Sequence, residues 1–495
     1  PASPISKICI PYLGFTVFFR MEGEEMGFMQ NIKNMLNSGY SASVTENGAV
    51  GYQTTGKALL DLNFSVSSCR NAAPEEIAGK FVKAYYENPK LAVRWLFFAG
   101  DVRQGLGERR LFKTLIIYLA DNHPDIARAL MPLIPEYARW DIIVALLDTP
   151  LANEAATLIK RQMQEDSINM EKGKSISLCA KWLPSGNASA EHTRRMARIL
   201  AEKLSMTNRQ YRQILSAHRK YLDVVEVKMS SKRWAEIDYG AVPSRANLVY
   251  NKAFLHNDEE RRREFLGAVK KGEQTVHAEV IYPHDVVHSY IKNGERAWTK
   301  ILAPVDDTLE ELWKALPDYV QGAANTLCIA DGSGSMTTTV GNTQVTCLDV
   351  ANALAIYFSE HCMGQFRNTY ITFSQTPQFV DLSKGRSLHD KIEIALHYNE
   401  VANTNIEAVF DLILRTAVQC RMPQPELPEN LLILSDMEFD SATRSYVNGK
   451  SVSPDEKLFD TFARKYAANG YSMPRLVFWN ICSRTNTITI RENEL

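Results

Sequence analysis

NTLCIADGSGSM, residues 325–336, decides how this chain is read. Its first half is short and apolar, the pattern of a buried strand. Its second half sets Asp331, Ser333 and Ser335 at every second position on a glycine turn. Three oxygen side chains so spaced can converge on one small hard cation. Mg²⁺ suits such a site, with few protein oxygens and some positions left to water or to a partner. A cation held this way docks a carboxylate or phosphate from outside.

Working outward, NTYITF (368–373), LLILS (431–435) and RLVFWN (475–480) share the strand character, and TPQFVDL (376–382) reads as an extra edge strand. Helical stretches at 346–363, 404–420 and 453–469 lie between them. This alternation predicts an α/β doubly wound sheet, whose ligand crevice lies beyond the carboxyl ends of the strands. Two more residues belong at that crevice. Thr404, in VANTNIEAVFD, comes just before a helix, and Asp436, in LLILSDMEFD, follows a strand. The constellation D-x-S-x-S, then Thr, then Asp resembles the metal-ion-dependent adhesion site of the von Willebrand factor A fold. That resemblance implies direct metal binding by Ser333 and Ser335, and direct or water-mediated binding by Thr404. It implies water-mediated binding by Asp331 and Asp436, and one position open to an external ligand. The expected ion is Mg²⁺, with Mn²⁺ or Ca²⁺ as alternatives.

Competing readings of the turn are weaker. No G-x-G-x-x-G or Walker lysine comes after the strand, which removes the dinucleotide and P-loop readings. A phosphatase-type nucleophile at Asp331 wants a second Asp two residues on, where Ser333 stands. The bland alternative is a solvated loop with Asp331 capping a helix.

From about residue 31 to about 319 the dominant period is helical. AAPEEIAGKFVKAYYENP carries acidic residues in its first turn and Ile77, Phe81, Ala84 and Tyr85 on one face. Short amphipathic pieces come next, with further helices expected at 152–167, 190–204, 208–227, 245–255, 258–271 and 309–318. Helices of this length with brief turns predict stacked pairs in an α-helical, HEAT-like repeat solenoid.

Composition sets the outer bounds. A chain of 495 residues exceeds one ordinary core, so two or more domains are expected. The formal net charge of -1 excludes a uniformly basic nucleic-acid binder, so charge has to be read region by region. Eight cysteines are scattered without C-x-x-C spacing. They point away from a zinc site or disulfide framework and toward the cytoplasm. No apolar run is long enough to span a membrane. Residues 1–25 look unlike the rest of the chain and are expected to be an N-terminal extension, with Met26 a plausible natural start.

The helical region carries distinctive strings: RWLFFAGDVRQGLGERR (94–110), YARWDIIVAL (137–146), LCAKWLPS (178–185) and LDVVEVKMSSKRWAEIDYGAVPSRANLVYNKAF (222–254). With these, the stretch from about 30 to 495 resembles domain-of-unknown-function family 2828. That family is similar to the TROVE module of the Ro autoantigen, a ring of helical pairs closed by a von Willebrand factor A domain. The Gly-x-Gly-Glu-Arg turn and the Arg-Trp-Asp string are shared with TROVE-like sequences. The resemblance implies a helical-repeat domain over 26–320 and an A-like domain over 321–495. A von Willebrand A fold usually continues for one more strand and helix beyond the TNTITIRENEL ending.

Ro-type rings take structured RNA on a basic face and single-stranded ends into the hole. Candidate RNA contacts are Arg103, Arg109 and Arg110, then Arg212, Arg219 and Lys220, then Lys228, Lys232, Arg233 and Arg245. Cations would track phosphates beside Tyr211, Tyr221 and Trp234. The bland reading makes the cations a solvated face with acidic partners and the tryptophans core anchors. The function expected is a non-enzymatic RNA-binding scaffold whose metal docks an acidic ligand. The alternative is a metal-dependent protein-interaction module. A metal-dependent hydrolase is the least supported reading, since no nucleophile or general base stands beside the metal constellation.

Overall fold

The computed structural model describes residues 42–294, 299–320, 325–341, 343–439, 446–447, 450–451 and 458–488. The expected extension at 1–25 lies outside them. Contacts divide the chain into two units. One takes in residues up to Ala72, Lys83–Glu87 and Ile281 onward; the other takes in Ala73–Val82 and Asn88–Val280. No helix among the described residues is long and apolar enough to cross a membrane.

The first unit is α/β. In chain order it contains a hairpin, β1 (Ala42–Val44) and β2 (Val50–Tyr52), and a second hairpin, β3 (Ile291–Asn293) and β4 (Lys300–Leu302). Then come β5 (Thr326–Asp331), β6 (Thr369–Phe373), β7 (Gln378–Asp381) and β8 (Asn430–Ser435). A small pair, β9 (Tyr446–Val447) and β10 (Lys450–Ser451), precedes β11 (Arg475–Asn480). The main sheet has the order β11-β8-β5-β6-β7. All its neighbours run parallel except β7, which is antiparallel to β6 and forms the expected edge.

Alternation along the strands covers both faces of this sheet. Leu327, Ile329, Ile371, Leu431, Ile433, Leu476 and Phe478 join one core with Val409, Phe410, Phe459, Phe462 and Tyr466 from the helices Glu407–Gln419 and Leu458–Ala468. The helix Cys347–His361 packs on β5 and β8. Its Phe358 meets Trp479 of β11, a neighbour of Phe478 pointing the opposite way, at a ring distance of 5.7 Å.

The sequence places the change of architecture at 320/321, whereas the structure groups 281–320 with the sheet. The helix Pro283–Tyr290 packs on Cys347–His361, and Asp307–Lys314 packs on Leu388–His397. Glu310 adds a polar tie. Its buried carboxylate accepts the N–H groups of Leu388 (2.8 Å) and His389 (3.0 Å), orphan donors in the first turn of that helix. Neither hairpin, at 42–52 or 291–302, keeps to the helical period expected there.

The second unit is helical. Asn88 caps Pro89–Gly100 by accepting from Leu91 N, and Thr207 with Gln210 forms a capping box on Asn208–Leu222. Pro89–Gly100 packs on Arg109–Asn122, with Phe97 and Phe112 edge to face at 5.5 Å. The turn between them admits only glycine at 105, where an added Cβ would lie 1.8 Å from the Phe98 carbonyl oxygen. Ala152–Glu171 packs on Cys179–Trp182, Glu191–Lys203 and Asn208–Leu222.

Candidate metal centre

The sheet order puts β6 on one flank of β5 and β8 on the other. The chain therefore leaves the carboxyl ends of β5 and β8 in opposite senses, and a crevice opens between them. Asp331 ends β5 and Asp436 comes directly after β8, so both carboxylates reach this crevice from adjacent strands. Asp331 is 1% exposed and Asp436 0%, which no solvated helix cap would be. Asp331 Oδ1 accepts Ser333 N at 2.9 Å, and Oδ2 accepts the Ser435 hydroxyl at 2.5 Å. Ser333 Oγ and Ser335 Oγ lie 3.0 Å apart, and Ser335 hydrogen-bonds Asp436.

Two backbone stitches hold the glycine turn. Gly332 N donates to Phe373 O (2.8 Å) and Gly334 N to Ala402 O (2.9 Å). The second stitch brings in the loop that carries Thr404, which is 1% exposed. Ser374 fixes that loop further: its hydroxyl accepts Ala402 N at 2.7 Å and its carbonyl accepts Asn405 N at 3.1 Å. Beyond Asp436, buried Met437 takes φ +65, a left-handed conformation that a non-glycine residue adopts only under constraint. Its N–H donates to Ser435 Oγ.

Electrostatics mark the same spot. Burial, with the Asp436 charge beside it, pushes the Asp331 carboxyl up to about 7. Burial also raises Asp436, against the pull of Arg484. Two carboxylates that each disfavour the other's charge form a site that a cation would relieve. Among the described residues no group of three or more His, Cys, Asp or Glu side chains could hold a metal ion. The candidate centre is instead two carboxylates and three hydroxyls, a hard oxygen set that fits Mg²⁺.

Asp331, Ser333, Ser335 and Asp436 are joined by hydrogen bonds, and the Thr404 loop is stitched to the same turn. Sequence reasoning missed the groups around them. Ser435 and Ser374 position Asp331 and the Thr404 loop. Glu438, 0% exposed, accepts Glu46 N (2.8 Å), Arg484 N (2.8 Å) and Thr485 N (2.9 Å). Burial opposes its charge, but these N–H donors outweigh it and hold the carboxyl below the usual range. Asn47 Nδ2 donates to Thr404 Oγ1 (3.1 Å) and Glu438 O (2.6 Å). Only the strand–Asp–x–Glu spacing hinted at Glu438; Asn47 lies 357 positions from Thr404, beyond any local pattern.

The ten candidate cations of the helical unit are not all turned to solvent. Arg103, Arg109, Arg110, Arg212, Lys220, Lys232 and Arg245 are exposed. Arg219 is turned inward, donating to Ala180 O, Leu183 O and Ser185 Oγ. Lys228 pairs with Asp223 at 2.9 Å, and Arg233 with Glu236 at 2.6 Å. Of the aromatics, Tyr211 is buried and its hydroxyl donates to Pro184 O, while Trp140 is core. Arg139 of the Arg-Trp-Asp string stacks on Trp182 at 4.0 Å and pairs with Asp141.

Residues 45–136 and 149–324 match the family "Domain of unknown function (DUF2828)", and residues 325–494 match "Domain of unknown function (DUF7788)". An uncharacterized protein, L728, of Acanthamoeba polyphaga mimivirus is 26% identical over 494 residues, covering 91% of this chain and 81% of that protein. The crystal structure of the Deinococcus radiodurans Ro (RSR) protein aligns over 95% of this chain and 90% of its own, at 14% identity and a TM-score of 0.36.

Proposed function

This chain belongs to the DUF2828 family, and we propose that it is a non-enzymatic scaffold in which a divalent cation docks an acidic ligand while exposed cations of the helical unit hold RNA. The observation that carries the first half is the hydrogen-bonded grouping of Asp331, Ser333, Ser335 and Asp436 at adjacent strand ends, both carboxylates buried, with the Thr404 loop stitched to the same turn. Mg²⁺ is the ion that best suits such oxygens. Bound there, it would supply a Lewis-acidic point for an incoming carboxylate or phosphate, and these five residues would hold it. Around it, Asp331, Asp436 and Glu438 already accept from backbone N–H, hydroxyl or guanidinium donors. None is placed as a free general base, which supports docking over hydrolysis.

The RNA half draws support from the TROVE-like turn and the Arg-Trp-Asp string, with a von Willebrand A-type closure of a helical ring as the architecture that goes with them. Single-stranded ends or small structured RNA are the expected cargo. Filter binding with a salt titration tests it: affinity should fall steeply with log salt, because phosphate contacts release counterions. No binding at low salt, or a flat slope, refutes RNA binding. The second reading is a metal-dependent protein-interaction module. The inward use of Arg219 and the pairing of Lys228 and Arg233 favour it. Partners that copurify with the wild type, are lost on Asp331→Ala and resist nuclease would establish it.

A further inference from the structure

One cation near the candidate metal centre stands apart from the five ligands. Arg484 lies beyond β11 in ICSRTN (481–486). Its Nη1 is 3.0 Å from Asp436 Oδ2. Its Nε donates to Glu46 Oε2 at 2.7 Å, and Nη2 reaches the same oxygen. Glu46 and Asn47 sit on the turn of the β1–β2 hairpin, and Asn47 donates to Thr404 Oγ1. The Arg484 loop and the hairpin turn thus address two of the five candidate ligands, Asp436 and Thr404. Buried Glu438 ties these segments together by accepting both Glu46 N and Arg484 N.

A guanidinium on Asp436 does two things to an incoming divalent cation. It takes up Oδ2, and it repels a like charge across a partly buried contact. Arg484 keeps 29% of its side chain exposed, and Glu46 offers it a second carboxylate outside the crevice. It can therefore leave Asp436 without becoming an isolated buried charge.

Resting on the cation site proposed above, we propose that Arg484 is an internal counter-cation that balances Asp436 until a divalent ion arrives and yields to it. Through Glu46, this exchange couples metal occupancy to the 42–52 hairpin. The coupling is reciprocal by linkage: occupancy leaves Arg484 wholly to Glu46 and steadies the hairpin, and a hairpin that holds Arg484 favours occupancy.

The test is Mn²⁺ affinity of the full chain, by titration calorimetry, for wild type, Arg484→Gln, Arg484→Lys and Asp331→Ala. Removing the charge should tighten binding about tenfold, the scale of a like-charge contact near the surface. Arg484→Lys should stay within about twofold of wild type, since it keeps the charge. If the wild type binds Mn²⁺ and Arg484→Gln binds no tighter, the counter-cation role is overturned and the cation site stands. If neither binds Mn²⁺, the cation site itself falls, and the proposal with it. Hydrogen exchange on the wild type needs no substitution: Mn²⁺ should slow exchange of amides at 44–50, and unchanged or faster exchange in a Mn²⁺-bound protein overturns the coupling.

Discussion

The two units bury charge in different ways. In the helical unit, Asp166 is 1% exposed, and its partners are Gln162 four residues away and Ser177 eleven away. It brackets a local turn. In the α/β unit, Asp331 is equally buried, yet Ser435 comes from 104 positions away. Glu438 meets donors at distances of 392 and 46 positions. A buried carboxylate satisfied by its neighbours is a structural bracket. One that also draws partners from distant loops marks a place where the fold assembles chemistry.

The sharpest way to break that contrast is to remove one carboxylate from each unit. Asp331→Ala or Asp436→Ala should weaken Mn²⁺ binding by about a hundredfold or more, comparable to or beyond the loss of a supporting group at a metal site. Asp166→Ala should leave Mn²⁺ binding unchanged and cost about 2 kcal/mol of stability through orphaned donors. Calorimetry and thermal melts read the two effects separately, and metal binding lost in Asp166→Ala would erase the distinction.

Backbone geometry comes next. Gly105→Ala forces its Cβ against the Phe98 carbonyl oxygen and should cost about 3 kcal/mol or more. The melt of the helical unit should move while Mn²⁺ affinity stays put.

Acid titration sharpens the α/β side. The Asp331 carboxyl stands at about 7 against an ordinary 3.8. The folded chain therefore holds a proton that the unfolded chain has released, and this group's contribution to stability falls as pH climbs from about 4 to about 7. In chelator-treated protein, Asp331→Asn should melt higher than wild type at pH 8 and no higher at pH 5. Saturating Mg²⁺ should reverse the order at pH 8, because only the wild type gains from it.

The smallest effects belong to single surface cations. Replacing Arg110 or Lys220 by alanine should lower the salt slope of RNA binding by about one unit at most. Arg219→Ala should lower the melting temperature instead, since its guanidinium serves three acceptors of its own unit.

Much of the sheet could be read in advance because buried parallel strands are short apolar runs. RLVFWN became β11, and the runs around Cys328, Ile371 and Ile433 became β5, β6 and β8 to within a residue or so. The five candidate positions came from motif order and strand ends, which local sequence carries. The hairpin at 42–52 did not come through: three-residue strands have too few residues to show a period. Nor did the roles of Asn47, Glu46 and Arg484, which depend on contacts across most of the chain. Among the cations, helical spacing could not separate Arg219 from Arg212, because inward or outward pointing depends on the neighbouring Cys179–Trp182 segment.

The meeting of Glu46 with Arg484 also has a timetable. The two residues are 438 positions apart. At a synthesis rate of about 5–20 residues per second, the hairpin turn waits some 20–90 seconds for Arg484 to be made. For most of that interval the β1–β2 segment has neither Glu438 nor Thr404 to hold it. On a ribosome, then, the oldest described part of the chain is among the last to settle, and a nascent-chain chaperone would have longest access to it.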